Sequence, residues 1–380
     1  MRRDFHLRRR LVAGWLLGAL FIALSCLANL PLSAQAGSPP PRCPTEIPGG
    51  ASCLPPVYYG HSYYITDPTK MSTLAAQDAS YYSNQCTYTG QPFLTLLDFG
   101  RPGFYNGVYS VYNWGNNGEW LSYTLVVGYS EQYAQDWYRD ATSCPSLFLV
   151  VGTNNSYECF LNGSYDPSCN VYTAGVQWDE GIHGIMNFTS KYGYSARETV
   201  WGGDDMEAEW DQWLTCAGKP ANPQTYDFAN GVAQQEKTYF THAWLADYGD
   251  ADYEIANEEG QCNWNTGATD DTYTYDASWG IGWDVPFPEL YTAYQGQNWV
   301  NVYNDFKSTG YSFYGSITQC SEADPLPTGD CYVARNGDCE FSPTEAFHNY
   351  AIYFNPNSAL YEQDTNQQWQ TDGHTGNGTC

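Results

Sequence analysis

A chain of 380 residues with 42 acidic against 15 basic side chains carries a net charge of −27 at neutral pH. A field of that sign repels nucleic acid and anionic membrane surfaces, which excludes both as partners. Disorder does not follow, because 42% of the residues are hydrophobic and 17% aromatic, enough for a large core, and the tyrosines and tryptophans in excess of core needs suit the flat faces of sugars.

The chain opens with a basic head, an apolar stretch from Leu11 to Leu27 and the small residues Ala34 and Ala36. That is the build of a secretory signal peptide over residues 1–36, cleaved after Ala36; the alternative is an uncleaved anchor, since the apolar part approaches spanning length. No other segment is long and apolar enough to cross a bilayer, so no membrane contact is expected of the mature form. The leader holds five arginines and one aspartate, and its loss takes the net charge to −31. It also removes Cys26 from 13 cysteines, and the even remainder in an exported chain predicts disulfides. Cys43/Cys53, Cys159/Cys169 and Cys331/Cys339 are close enough in sequence to staple short loops. With no CxxC pair and six histidines, no metal site and no cofactor are expected.

Residues 37–56 form a Pro/Gly-rich leader, and Val57 to Ile65 has the composition of a strand. Asp67-Pro68 predicts a helix running to about Ser83. From Phe93, buried-strand runs alternate with helical stretches. Phe93 to Leu97 ends at Asp98-Phe99-Gly100, and Leu147 to Val151 ends at Gly152-Thr153-Asn154-Asn155. Helices are predicted over Trp120 to Asp140, Gly175 to Tyr192, Asn222 to about Gln235, near Tyr275 to Gly282, and Asn298 to Ser308. Further strands are predicted at Thr199 to Trp201, Tyr239 to Ala246 and Tyr311 to Ile317. This alternation predicts an α/β fold, a single (β/α) TIM-type barrel of parallel strands over residues 57–322, with disulfide-stapled loops. Residues 323–380 form a short Cys-bearing C-terminal extension, in which Ser342 to Glu345 reads as a capping box. A doubly wound open sheet is the alternative, although no glycine-rich phosphate loop follows the first strand.

The densest chemistry lies in Arg197 to Trp210, RETVWGGDDMEAEW. Residues two apart on an extended strand share a face, so a strand continuing through Met206 points Asp205 and Glu207 into one space and Asp204 away. Two carboxyls in one site titrate apart, leaving one protonated as an acid, which is the arrangement glycosidic cleavage needs. A solvated acidic loop is the bland alternative.

LLDFG at Leu96 to Gly100, VVGTNNS at Val150 to Ser156, GGDDMEAEW at Gly202 to Trp210, PELYTAY at Pro288 to Tyr294 and GSITQC at Gly315 to Cys320 follow one another over about 230 residues. In that order they resemble the secreted bacterial glycoside-hydrolase-like barrels, a group that includes the family 25 lysozyme-type muramidases. The resemblance implies that Asp98 takes the position of the aspartate ending the first strand, and Asp205 with Glu207 that of the D-x-E ending a middle strand, the glutamate serving as acid. Asp205 would then position a substrate amide or stabilise a cationic transition state, and Asp98 would bind sugar hydroxyls or support Glu207. Asn154, Asn155, Trp201, Asp247 and Glu289 are candidates for binding substrate at the same mouth.

Each candidate has a structural alternative: Asp98 as a strand-end cap, Asn154-Asn155 as a turn, Asp247 and Glu289 as structural carboxylates. Asp247, Asp250, Asp252 and Glu254 could gather around calcium but lack the EF-hand spacing. His183, His242 and His348 read as structural or surface residues, and no G-x-S-x-G elbow is present. The sequence therefore predicts a secreted or cell-surface protein directed at a polysaccharide or other glycan. Its first reading is a hydrolase; the alternative is a catalytically inactive barrel serving as a carbohydrate-binding module.

Overall fold

A computed structural model describes residues 60–89, 92–113, 118–141, 146–156, 158–161, 164–207, 224–251, 275–281, 284–290, 293–306, 316–318 and 364–367. The predicted signal peptide, the Pro/Gly-rich leader, Asp252, Glu254, His348, the capping box and the cysteine pairs Cys43/Cys53 and Cys331/Cys339 lie outside the described residues. Among the described residues, no helix is long and apolar enough to cross a membrane.

The elements in chain order are β1 (Gly60–Tyr64), α1 (Met71–Thr89), β2 (Phe93–Asp98), β3 (Arg101–Tyr105), β4 (Val108–Asn113), β5 (Glu119–Ser122), α2 (Tyr123–Asp140) and β6 (Leu147–Asn154). There follow β7 (Phe160–Leu161), β8 (Ser164–Tyr165), α3 (Val171–Lys191), β9 (Glu198–Asp205), α4 (Gln224–Glu236), β10 (Leu245–Asp247), β11 (Asp284–Pro286), α5 (Ala293–Phe306), β12 (Ser316–Thr318) and β13 (Asp364–Gln367). Eight strands form one sheet in the order β11-β10-β9-β6-β2-β1-β13-β12, and every pair in it is parallel. Just past β11, Glu289 pairs in parallel with Ile317 of β12, at the other end of that order. The Leu290 amide donates to the Ile317 carbonyl at 2.8 Å, and the Ile317 amide to the Pro288 carbonyl at 2.9 Å.

The continuous apolar runs explain the central strands. β2 and β6 are buried at every position, because both faces of the sheet are covered. On one face Phe93, Leu97, Leu149, Val151, Val200 and Leu245 join a core with Leu74 and Ala75 of α1, Val126 and Trp137 of α2, Ile182 of α3 and Phe228 of α4. On the other face Leu94, Leu96, Phe148, Val150, Ala246, Val285 and Ile317 form a second buried cluster, made among the described residues of strand and strand-flanking residues alone. Each large aliphatic side chain removed from water in this way contributes about 1.5–3 kcal/mol.

Several elements differ from the sequence expectation. Asp67 caps a short 3-10 turn over Pro68–Lys70, its side chain accepting from the Thr69 amide at 3.1 Å, and α1 begins only at Met71. α2 starts at Tyr123 rather than Trp120, because Ser122 takes an extended conformation and accepts the Leu125 amide. Trp120 instead pairs with Tyr112 in an antiparallel β3-β4-β5 sheet inserted after β2. β10 spans three residues, shorter than the predicted Tyr239 to Ala246. β13 comes from residues assigned by sequence to the C-terminal extension, and it enters the sheet between β1 and β12. Of the expected staples, Cys159–Cys169 is formed, its Cα atoms 5.5 Å apart, beside the small β7-β8 hairpin.

Helices α3 and α4 cross at two glycines. A Cβ on Gly175 would stand 2.1 Å from the Phe228 carbonyl oxygen, and one on Gly231 would stand 2.1 Å from that of Tyr172. Backbone cannot retreat as a side chain can. Gly231→Ala is therefore expected to destabilise by about 1–3 kcal/mol, although alanine is the better helix former by up to about 1 kcal/mol. A melting temperature equal to or above the wild type would show the crossing to be looser than this.

Candidate active site at the carboxyl ends of the strands

Four neighbouring strands end in polar side chains on the face away from the helices. Their parity follows from the two clusters: Leu94 and Leu96 belong to the strand-only cluster, so Asp98 lies on that face, as do Tyr64, Asn154 and Asp205 by the same alternation. In register, Tyr64 pairs with Asp98, Asp98 with Gly152, and Asn154 with Asp205. The Tyr64 hydroxyl donates to Asp205 Oδ2 at 2.7 Å, and Asn154 Nδ2 donates to the same oxygen at 2.9 Å. β1 and β9 are three strand spacings apart, about 14 Å on a flat sheet, so this tyrosine–aspartate bond requires a strongly curved one.

Tyr248 fills the floor beneath this carboxylate. It follows β10, is 1% exposed, and its ring lies where Gly152 and Gly203 leave room: a Cβ on Gly152 would meet its hydroxyl at 2.2 Å, and one on Gly203 its ring at 2.9 Å. Its hydroxyl donates to the Thr153 carbonyl and approaches Asp98. Burial drives the Tyr248 hydroxyl well above its ordinary range, and the charges of Asp98, Asp205 and Asp204 add to that, so the ring stays a neutral donor.

The same burial acts on the carboxyls. Asp98 is 1% exposed and is pushed up to about 7 by desolvation, against the pull of the Gly100 amide, which donates to its Oδ1 at 2.6 Å, and of the Tyr248 hydroxyl. Asp204, on the helix-facing side, accepts from Thr153 Oγ1 at 2.8 Å and is also raised well above its usual value, chiefly by burial, with Asp205, Asp98 and Asp247 contributing repulsion. Asp205 and Asp204 thus face opposite ways, as the alternation of the motif requires.

The predicted site residues fall into two groups. Asp98, Asn154 and Asp205 share the face just described. Asn155 stands beside them as a tie: its amide donates to the Asp205 carbonyl at 3.0 Å, and its Nδ2 reaches the Glu207 carbonyl at 2.8 Å and Thr225 Oγ1 at 3.0 Å. Glu207 lies two residues beyond β9 and is half-buried. Glu289 is buried at the pairing with β12, its amide donating to the Gly249 carbonyl at 3.2 Å. Two candidates lie elsewhere. Trp201 sits four residues before Asp205, about 13 Å down the strand, edge-on to Phe148 at 4.5 Å, where it plugs the opposite end of the strand-only cluster. Asp247 faces the helices, accepting from Ser278 Oγ at 2.5 Å and the Gly249 amide at 3.2 Å, and burial pushes it up to about 7. Asp250, its predicted neighbour around calcium, is only half-buried. Tyr64 and Tyr248 were not anticipated; their one sequence signal is a tyrosine at or just after a strand end.

No protein-family model matches the chain, and no curated protein matches it in sequence. Among solved structures, a glycoside hydrolase family 6 enzyme from Coprinopsis cinerea superposes with a TM-score of 0.35 at 13% identity, over 70% of this chain and 61% of that one. The endo-1,4-beta-mannanase of Rhizomucor miehei gives 0.39 at 10% identity, over 83% of this chain and 86% of that one. The 3-keto-D-glucoside 4-epimerase of E. coli gives 0.36 at 8% identity, over 83% and 94%. The chain spans less than two thirds of the length of the Coprinopsis enzyme. These are distant likenesses, and the functional reading rests on the site itself.

Proposed function

We propose that the eight parallel strands close into a β/α barrel and that the protein is an exported glycoside hydrolase acting on a polysaccharide, with its active site at the carboxyl ends of the strands. Closure is supported by the Glu289–Ile317 pairing across the sheet order and by the burial of Leu94, Phe148, Val150 and Val285 with no helix on their side among the described residues. Catalytic groups of such barrels gather at that end because loops there can vary while the strands hold side chains rigidly.

The observation that carries the reading is the pair of donors on Asp205. Tyr64 and Asn154 reach Oδ2 from two other strands, which fixes the carboxyl group in place. A fixed anion on a concave face stabilises the positive charge that develops on a sugar ring as its glycosidic bond breaks. Glu207 is the acid in this scheme. Met206 joins the helix-facing core, so alternation carries Glu207 toward the face of Asp205, and its half-buried position leaves it able to meet a leaving-group oxygen. Asp98 lies one residue pair deeper than Asp205 and acts as a positioning residue, holding a proton near neutrality beneath the reacting layer.

Turnover by the purified mature chain on a panel of cell-wall and plant polysaccharides, read as new reducing ends, tests the proposal. Release by the wild type and loss in Asp205→Asn is the expected result. Binding to a glycan with no release by the wild type would replace the hydrolase with a carbohydrate-binding barrel.

A further inference from the structure

A second polar cluster lies on the helix layer. Asp179 and His183 stand one turn apart on α3 and face Glu236, the last residue of α4. His183 Nε2 is 2.7 Å from Glu236 Oε1 and 3.9 Å from Asp179 Oδ2. His242, in the segment leading into β10, places Nδ1 3.0 Å from Glu236 Oε2, and the Ala243 amide donates to Glu236 Oε1 at 3.1 Å. Asp179, His183 and Glu236 are 2%, 6% and 0% exposed, and each offers a ligand atom within 4.8 Å of the other two. The ring of Tyr239 stacks on His183 with centroids 3.4 Å apart, which fixes the imidazole plane.

Two facts ask for a positive charge between these groups. The carboxyls of Asp179 and Glu236 abut each other, and Asp179 Oδ2 is buried without a hydrogen-bond donor. Buried carboxylates in contact need either a shared proton or a cation. The nearest donor, His183 Nε2, is directed at Glu236.

We propose that Asp179, His183 and Glu236 form a binding site for a divalent transition-metal ion of the zinc class, with His242 beside it on the second oxygen of Glu236. One imidazole nitrogen and two carboxylates, with a fourth position open to water, are donors such ions accept, whereas calcium and magnesium call for six or more oxygens. Tetrahedral bonds of 2.0–2.2 Å put ligand atoms roughly 3.4 Å apart. The separations of 2.7 and 3.9 Å from His183 Nε2 to the two carboxylates bracket that value, and all three ligand atoms lie within 4.8 Å of one another, so small side-chain shifts admit the ion. In the bound form His183 is a neutral imidazole carrying its proton on Nδ1, its Nε2 lone pair takes the metal, and the proton shared by Asp179 and Glu236 leaves to solvent. The Ala243 amide keeps its bond to Glu236 and orients that ligand. His242 is 34% exposed and gives the ion its way in.

The position argues for a structural role. Glu236 closes α4 and His242 precedes β10, so the cluster sits near the amino ends of the strands, away from Asp205. An ion there ties α3, α4 and the approach to β10 together. The sequence carries no local motif for it because its donors come from two helices more than fifty residues apart.

Metal content and thermal unfolding of the mature chain decide the matter. The expected result is about one equivalent of zinc per chain. Its removal by a chelator should lower the melting temperature by about 5 °C or more, with recovery on adding zinc but not calcium or magnesium. His242→Ala, which removes the exposed partner that orients Glu236, should fold and need at least about tenfold more zinc for the same shift. His183→Gln should lose the shift. No retained metal and equal melting temperatures in zinc and in chelator would overturn the proposal and leave a proton shared between Asp179 and Glu236. An undiminished zinc shift in both variants would overturn it as well, since the ion would then bind elsewhere.

Discussion

Raising the pH from 5 to 8 is expected to lower the melting temperature by on the order of 10 °C, the reverse of what an ordinary acidic protein does when its carboxylates are salt-bridged. Burial pushes Asp98 and Asp247 up to about 7 and Glu198 to about 8, from ordinary values of 3.8, 3.8 and 4.5. Among the described residues only Glu198 of these three has a nearby cation, Arg197, and its pull is weaker than the desolvation. A carboxyl raised in the folded state holds its proton where the unfolded chain has already released it. Between the two pKa values the folded state binds more protons, so stability falls as pH rises, and the loss is complete only above the folded value. For Asp98 and Asp247 that window runs from about 4 to 7, and for Glu198 from about 4.5 to 8. Each unit inside it costs about 1.4 kcal/mol per group, so the three together amount to several kcal/mol across the interval. Asp98→Asn should flatten the slope between pH 5 and 7. Calorimetry of wild type and variant over this range checks both statements. A melting temperature rising toward pH 8 would mean that these carboxyls reach water or counter-ions in solution.

The legible parts of the fold were those where one segment carries its own signal. Leu147 to Val151 reads as a doubly covered strand because every residue in it is apolar, and Asp98, Asn154 and Asp205 were visible as the polar residues on which such runs end. Alternation assigned Asp204 and Asp205 to opposite faces correctly, since it depends only on the backbone repeat. Alternation does not give depth, and so Trp201, on the face of Asp205, was read into the mouth when it lies four residues below it. Pairing between remote segments was hidden as well. Asp364 to Gln367 has no apolar run to mark a strand; it becomes β13 only because β1 and β12 present their edges to it. Tyr64 and Tyr248 are indistinguishable from packing residues in a chain with 34 tyrosines until neighbouring strands show what their hydroxyls touch. The inserted β3-β4-β5 sheet escaped for a related reason: Pro102 and Gly103 interrupt its first strand, and its core-facing residues are mixed with Tyr and Asn.

If the hydrolase reading holds, Asp205→Asn and Glu207→Gln should each lower turnover by about 10²–10⁴ while leaving the fold intact, the range for losing a charged or proton-transferring group at the reacting centre. Asp205→Asn keeps the shape but removes the charge, and it presents an amide to Asn154 Nδ2 and the Tyr64 hydroxyl, which now donate to a carboxylate. Tyr64→Phe removes one of those donors and should cost about tenfold or more, the scale of a single hydrogen bond to a charged group. Asp98→Asn, acting through the layer above, should reduce the rate less than either but alter the pH–rate profile near 7, where Asp98 titrates. Asp204→Asn is the control. Its carboxyl faces the helices, accepts from Thr153 and is raised well above its usual value by burial, so an amide replaces it on the far side of the strand from the site and turnover should be nearly unchanged. The order of effects therefore follows the geometry: large for Asp205 and Glu207, smaller for Tyr64 and Asp98, negligible for Asp204. Equal and mild losses across all five would reduce the motif to an acidic strand end. A silent Glu207→Gln beside a damaging Asp98→Asn would move the acid one layer down, from the rim of the site to its floor, and would require substrate to reach a carboxyl that burial now covers.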